Sequence, residues 1–406
     1  MPAAANLLQR AAALLDEKDP ARALLLLDAG EAAVDVGELE RAESVLSEAV
    51  DRALSAQEMG IARAAALALL QLRYTTDAHG VQESIGQDES MVELVEREIP
   101  ELEAMGDDRA LVRAFRLLTY VHWTGGHYAD AAAAAERTIR HATAAGDEVT
   151  ARRFLGSLAI SALYGPMPIS DAIATCEEVL ARAADDRKVR ASAELAIGQL
   201  EAMRGNFERA RVLYRRSRAA LEELGCLFLA ALTSLLSSVI EFLAGDLAAA
   251  ESELRTDYRR LEEMGERNYI STTAGLLADV LYRQGRYDES AQFAEVCENI
   301  ASSDDVASQF LWRCVRGKLK ARQGAIDEAE SLLSAATALI ETSDQLDLQG
   351  NGLLDFAEVR ELAGAPADAA ALCERAAELF ERKGNVVSAL RARQLAERLR
   401  STPATS

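Results

Sequence analysis

Aromatic residues are scarce in this sequence: two Trp, nine Tyr and nine Phe make up 5% of 406 residues, although half of the chain is hydrophobic. The apolar half is therefore mostly Ala and Leu, the best helix formers, which favours helices and excludes a β-rich fold. Histidine is rarer, with four in all (His79, His122, His127 and His141). Metal centres need clustered His, Cys or carboxylates. Only His122 and His127 stand near each other, five apart across a turn, and solvated or hydrogen-bonded turn histidines are the simpler reading. The five cysteines (Cys176, Cys226, Cys297, Cys314, Cys373) form no Cys-x-x-Cys pair. An odd, scattered set excludes a disulfide framework and suits a reducing cytoplasm, with Cys176, Cys297 and Cys373 acting as small packing residues. Positive charge is also short: 44 Lys and Arg stand against 66 Asp and Glu, a net charge of −22. Such a surface repels phosphate backbones, so no nucleic-acid partner is expected.

Long apolar runs are missing too. The N-terminus shows neither a basic leader nor a continuous apolar stretch, so no secretory signal is expected. The longest uncharged segment, Leu224 to Ile240, contains Thr233, Ser234, Ser237 and Ser238 and is followed by Glu241. It reads as a buried helix and not as a membrane span. No Gly-x-x-x-x-Gly-Lys-Ser/Thr loop is present, and Gly350-Asn-Gly352 lacks the third glycine of a dinucleotide fingerprint. Paired carboxylates are numerous, but on an acidic Ala-rich chain they read as solvent faces. No catalytic residue, cofactor or metal is expected, and the chain is not expected to be an enzyme.

What is present is a repeat. Gly, one or two variable positions, acidic residues and a small residue five places after the Gly recur as Gly37-Glu-Leu-Glu-Arg-Ala42, Gly126-His-Tyr-Ala-Asp-Ala131, Gly205-Asn-Phe-Glu-Arg-Ala210, Gly245-Asp-Leu-Ala-Ala-Ala250, Gly285-Arg-Tyr-Asp-Glu-Ser290, Gly324-Ala-Ile-Asp-Glu-Ala329 and Gly364-Ala-Pro-Ala-Asp-Ala369. From Gly205 onward the spacings are 40, 40, 39 and 40. Seven positions before each Gly stands another small residue: Gly30, Thr119, Gly198, Ser238, Ala278, Gly317 and Ala357. Small residues on facing positions let two helices approach closely. The Gly ends the first helix, and the acidic residues suit the positive end of the second. The unit is an antiparallel helix hairpin. Two repeats are irregular, around 77–110, where Pro100 should break or kink the later helix, and around 160–172, where the turn Gly165-Pro-Met-Pro-Ile-Ser-Asp-Ala172 carries two prolines.

This phrase resembles the tetratricopeptide repeat (TPR), with units about six residues longer than its 34-residue standard and without the usual Pro at the repeat end. The expected fold is an all-α, TPR-like α-solenoid superhelix of about nine helix hairpins with repeats of about 40 residues. It should form a single domain over 1–400 with a leading helix from Ala4, a closing helix to Leu399 and a disordered tail over 401–406. In such arrays the first helix of each hairpin lines the concave face, so positions thirteen, ten, six and three before the turn Gly should face a groove. That rule selects Arg113, Arg116, Tyr120 and Trp123; then Leu232, Leu235, Val239 and Phe242; then Asp279 and Tyr282; then Lys318 and Ala321, with Arg283 and Arg322 on the rim. Arginines with aromatic anchors suit an acidic or aromatic-bearing partner segment. Pairing of those arginines with neighbouring carboxylates, and packing of the aromatics between repeats, is the alternative.

Longer phrases are similar to the C-terminal repeat region of bacterial signalling proteins that join a class III adenylate/guanylate cyclase domain, a P-loop ATPase module and a helical array. They are Arg116-Leu-Leu-Thr-Tyr-Val-His-Trp-Thr-Gly-Gly-His-Tyr128, Tyr164-Gly-Pro-Met-Pro-Ile-Ser-Asp-Ala-Ile173, Met264-Gly-Glu-Arg-Asn-Tyr-Ile-Ser-Thr-Thr273, Asp304-Asp-Val-Ala-Ser-Gln-Phe-Leu-Trp-Arg313 and Glu381-Arg-Lys-Gly-Asn-Val-Val-Ser-Ala389. The resemblance implies a bacterial, cytoplasmic regulatory or sensor module acting on a protein or peptide partner or an attached nucleotide-handling domain. The alternative is a small-molecule sensor enclosing its ligand near Tyr120, Trp123, Phe242 and Tyr282.

Overall fold

The computed structural model describes residues 2–401 apart from 18, 78–79, 82–83 and 85–89. The expectations for His79 and for residues 402–406 lie outside the described residues, and Ser401 ends the last helix. Among the described residues there is no strand. The helices are α1 (Pro2–Ala13), α2 (Pro20–Asp35), α3 (Leu39–Ser55), α4 (Met59–Thr76), α5 (Met91–Met105), α6 (Asp108–Thr124), α7 (Tyr128–Ala144), α8 (Glu148–Arg153), α9 (Leu155–Tyr164), α10 (Ile169–Ala183) and α11 (Arg187–Met203). They continue as α12 (Phe207–Glu223), α13 (Leu227–Ala231), α14 (Ser234–Ala244), α15 (Leu247–Glu263), α16 (Asn268–Arg283), α17 (Tyr287–Ile300), α18 (Val306–Arg322), α19 (Ile326–Glu341), α20 (Leu346–Leu362), α21 (Pro366–Lys383) and α22 (Val386–Ser401). This is a TPR-like α-solenoid.

The hairpin chemistry is as the repeat implies. The seven turn glycines all take a left-handed φ, between 73° and 88°, which a side chain would strain. The seven small residues five places later are each 0% exposed. A Cβ placed on Gly317 would lie 3.3 Å from the Ala329 carbonyl oxygen, and one on Gly198 equally close to that of Ala210, so each pair of helices meets backbone to side chain at its small positions. Where the later position is Ser290, its hydroxyl donates to the Ala278 carbonyl at 2.8 Å.

A second series of left-handed turns, outside the repeat phrase, closes the later helix of many hairpins: Gly106, Gly146, Gly225, Gly265 and Gly384, while Gln57 has a positive φ without being glycine and Ala184 turns at φ 49° and ψ −121°. Pro100 does not break its helix; α5 runs through it from a Ser90 capping box to Gly106. Two first helices are interrupted instead, at Phe154 and at Leu232–Thr233. The second break falls inside Leu227–Ala244, a segment of mean hydropathy 2.0 that by length and composition alone would suffice to cross a membrane. Here the backbone tightens to i, i+3 bonds, and the freed Ser234 N–H donates to the buried Asp257 carboxylate at 3.1 Å. Arg218 pairs with that carboxylate at 2.6 Å.

The superhelix wraps far enough for successive turns to touch, mainly through helix ends whose backbone groups have no partner within their own helix. Asp344 accepts the Tyr128 and Ala129 N–H groups at the start of α7, at 3.0 and 2.8 Å. Lys383 donates to the Gly165 and Ala162 carbonyls at the C-terminal end of α9, at 2.6 and 3.3 Å. Arg391 reaches the Leu243 carbonyl ending α14 at 2.7 Å. Tyr74 donates to Asp304 at 2.7 Å, and the Arg267 N–H to the Thr76 carbonyl at 2.8 Å.

Candidate functional site

These contacts between turns convert the expected groove into a cavity of about 1100 Å³ along the superhelix axis. Its wall is made mainly by first helices, whose concave faces converge on the axis. Of the fourteen residues that the spacing rule selects, Arg113, Arg116, Tyr120, Trp123, Leu232, Leu235, Val239, Phe242, Asp279 and Arg283 line it. Tyr282, Lys318, Ala321 and Arg322 do not, a correction to the expected groove. Lys318 is 0% exposed, held between Asp279 at 2.6 Å and Asp355 at 2.8 Å on the flanking first helices. Burial opposes its charge, but the two carboxylates overcome this and raise its pKa above the ordinary lysine value. Tyr282 is buried and donates to Glu358 at 2.6 Å, while Arg322 donates to the Tyr282 hydroxyl and pairs with Glu358. The reason is local. In α18 the residue six before the turn, Lys318, points between α16 and α20, and Phe310, Leu311, Cys314 and Val315 reach the cavity instead.

Most cavity arginines are already engaged by the protein. Arg116 donates to Glu31 at 2.8 Å and to Gln71 at 2.5 Å. Arg113, 8% exposed, stands 3.4 Å from the same Glu31 carboxylate, and its Nε is buried without a hydrogen bond. Burial pushes the Glu31 carboxyl up, yet the two guanidiniums outweigh it and hold the group below its usual range. Lys188 pairs with Asp35. Arg283 pairs with Asp279 at 2.9 Å and lies over the Phe242 ring at 4.6 Å. Arg109 and Arg153, which the sequence rule did not select, also line the cavity, and neither side chain has a hydrogen bond or ion pair among the described residues. Asp28 opens onto the same space with no hydrogen bond among the described residues, and burial with the nearby Glu31 charge raises its carboxyl to about 6 against the opposing charges of Arg113 and Arg109.

The second character of the cavity is aromatic. Trp123 packs edge-on to Tyr120, with ring centres 5.2 Å apart, and its indole N–H donates to Ser161 at 2.9 Å. Tyr128 and Tyr164 contact each other at 5.3 Å, and Tyr269 meets Phe228. The hydroxyls of Tyr120, Tyr128, Tyr164 and Tyr269 find no partner among the described residues, and burial raises the pKa of all four. Gln199 and Ser238, 3% and 2% exposed, also border the cavity with an oxygen that makes no hydrogen bond. A signal for these residues was present in the sequence: the long phrases beyond the repeat consensus supply Tyr128, Tyr164, Tyr269, Asp305 and Lys383 to the cavity or its seams.

No group of three or more His, Cys, Asp or Glu suited to a metal occurs among the described residues. His122 and His127 face a small separate cavity of about 280 Å³ beside Asp304, where burial lowers the His122 pKa. The five cysteines are buried free thiols, with that of Cys176 pushed up to about 12 by burial.

No protein-family model matches the sequence, and no curated protein does. Among solved structures the chain is similar to a Rap protein complexed with competence and sporulation factor, at 13% identity and a TM-score of 0.53, covering 94% of this chain and 98% of that one. A Rap conjugation gene regulator of the plasmid pLS20 in complex with the Phr* peptide matches at 14% identity and a TM-score of 0.42, covering 94% and 97%. A signal transduction ATPase with a tetratricopeptide repeat sensor, from Pyrococcus horikoshii, matches at 14% identity and 0.42, covering 88% of this chain and 55% of that one. At these identities the likeness is one of fold.

Proposed function

We propose that this chain is a non-catalytic regulatory scaffold whose superhelix takes up a peptide segment along its axis. The observation that carries this reading is the cavity itself. At about 1100 Å³ it exceeds the roughly 300–1000 Å³ of most small-molecule pockets. Its wall joins an apolar floor to the Tyr120, Tyr128, Tyr164, Tyr269 and Ser238 hydroxyls and the Gln199 amide oxygen, none hydrogen-bonded among the described residues, which suits the N–H and C=O groups of an extended chain. The solved Rap protein of this fold is a complex with competence and sporulation factor, a precedent for a bound signalling factor. The resemblance of the longer phrases to cyclase- and ATPase-linked arrays favours a nucleotide-handling domain, attached or separate, as recipient of the signal. A small metabolite enclosed by the same wall is the second reading, favoured by the closure of the turns around the axis.

The test is thermal unfolding of the purified chain with peptide and metabolite fractions of a cell extract. A ligand that binds only the folded state raises the midpoint. Tyr269→Phe and Tyr120→Phe remove hydroxyls with no protein partner, so the ligand-free midpoint should not move, while affinity should fall by about 0.5–1.5 kcal/mol for each lost bond. A shift from the metabolite fraction alone would establish the second reading, and no shift from either would reject both.

A further inference from the structure

On the reading that the cavity takes up a ligand, we infer that this ligand carries an organic ammonium group, seated among Tyr120, Trp123, Tyr128, Tyr164 and Tyr269 beside Asp305. All six side chains line the cavity, and a series of short links holds them together. Trp123 meets Tyr120 edge-on at 5.2 Å and donates to Ser161, one turn before Tyr164, whose ring lies 5.3 Å from that of Tyr128. The Tyr269 hydroxyl stands in the fields of Tyr120, Tyr128 and Asp305, and the Tyr128 hydroxyl in those of Tyr164 and Asp305. Tyrosines from α6, α7, α9 and α16 thus converge on one place.

Two features of this place point to a cation. The first is a set of uncovered rings. Elsewhere in the chain a basic side chain lies over an aromatic face, as Arg283 does over Phe242 at 4.6 Å and Arg313 over Trp312 at 4.1 Å. Among the described residues none lies over these five. The face of such a ring attracts a cation, and the unpartnered tyrosine oxygens can accept its N–H groups. The second is buried carboxylate without a counter-charge. Asp305, 5% exposed, accepts the Ser308 N–H at 3.1 Å and the Ser271 hydroxyl at 3.3 Å. Glu266, 1% exposed, accepts the N–H groups of Asn268, Tyr269 and Ile270 at 2.9, 2.8 and 2.9 Å. Neither has an ion pair among the described residues. The starts of α18 and α16 offer each only about half an elementary charge, and burial pushes Asp305 up to about 6 and Glu266 to about 8. The other acids here are engaged, Asp304 by the Tyr74 hydroxyl and Asp344 by the Tyr128 and Ala129 N–H groups. Arg116, whose charge reaches Tyr120, is taken up by Glu31. An ammonium among the rings supplies the charge that Asp305 lacks.

The ammonium can belong to a small metabolite or to a lysine of a peptide, and the experiment separates the two. The full chain is titrated calorimetrically with choline and with the uncharged alcohol in which carbon replaces its nitrogen. Immobilised, it is then offered acetylated and amidated random hexapeptides that each carry one Lys, and the same peptides with norleucine in its place, with retention read by mass spectrometry. A metabolite site should bind choline roughly tenfold or more tightly than the alcohol, and a peptide site should prefer Lys over norleucine by a similar factor. Asp305→Asn keeps the side-chain oxygen that caps α18 and removes the charge. It should erase the preference in whichever series shows one, while the neutral counterparts bind as before and the helical signal stays constant. A preference that survives this substitution overturns the assignment to Asp305. Equal retention of Lys and norleucine peptides, with no preference for choline, overturns the ammonium while the peptide reading of the cavity stands. Binding of none of the probes overturns both.

Discussion

Lys318 shows what a single residue in this fold is asked to do. It carries a full charge with none of its surface exposed, and the three first helices α16, α18 and α20 are tied together by its two bonds to Asp279 and Asp355. Removing one member of a buried ion network leaves the others uncompensated, at a cost of about 3–5 kcal/mol. Lys318→Met should lower stability by about that much in urea unfolding, with the loss shrinking in acid as the stranded carboxylates take up protons. A loss below about 1 kcal/mol would mean that Arg283 alone neutralises the pair. Lys383 is the opposite case, a buried lysine whose partners are carbonyls. Burial lowers its pKa from 10.5 to about 8. Below pH 8 both folded and unfolded chains hold the proton, and the cost of the buried ammonium is fully present. Between about 8 and 10.5 only the unfolded chain holds it, so stability should rise with pH across that window. Urea midpoints measured from pH 7.5 to 9.5 should climb more steeply in the wild type than in Lys383→Met.

At the scale of elements, the hairpin depends on small residues facing each other, and this part of the fold was legible in the spacing of the sequence. Gly317 is the sharpest instance, because a Cβ there would sit 2.1 Å from the Leu333 side chain and 3.3 Å from the Ala329 carbonyl, both in a fully buried contact. Overpacking such a contact costs about 1–3 kcal/mol. Gly317→Val should show that loss in chemical denaturation, and unchanged stability would mean that α18 and α19 can separate freely. The broken helices were not legible. Nothing in Leu227 to Ala244 marks a break, since the residues that stabilise it, Asp257 and Arg218, lie on the neighbouring α15 and α12. The second series of turns was obscured for a related reason. Gln57 and Ala184 stand where a glycine would have completed the pattern, each exposed and with a positive φ, 60° and 49°.

At the scale of the whole molecule, the superhelix owes its closure to a few side chains that reach helix ends one turn away. Asp344, Lys383 and Arg391 each satisfy backbone groups more than a hundred residues distant in sequence. Combining Asp344→Ala, Lys383→Met and Arg391→Ala should open the wrap. Small-angle X-ray scattering should then report a larger radius of gyration while the far-ultraviolet helical signal stays constant, because bonds within each repeat are untouched. An unchanged radius would assign closure to the apolar packing between turns, such as Met264 against Gly37.

Repeat chemistry is local: a left-handed glycine, a small residue on each facing helix and an acidic first turn all act within forty residues, so the sequence by itself determined the hairpin, its period and the helical class of the molecule. The arginines, aromatics and apolar positions on first helices were legible for the same reason, because helical phase is local too. The closing of the turns was decided only in the tertiary structure, and with it which of those arginines remain free. Superhelical pitch sums small rotations over many repeats, and the partners that consume Arg113, Arg116 and Lys318 lie on other helices. That is why the sequence pointed to a groove with Lys318 and Arg322 in its wall, and why the folded chain has a cavity in which Arg113 and Arg116 are taken up by Glu31 and Lys318 lies outside the wall.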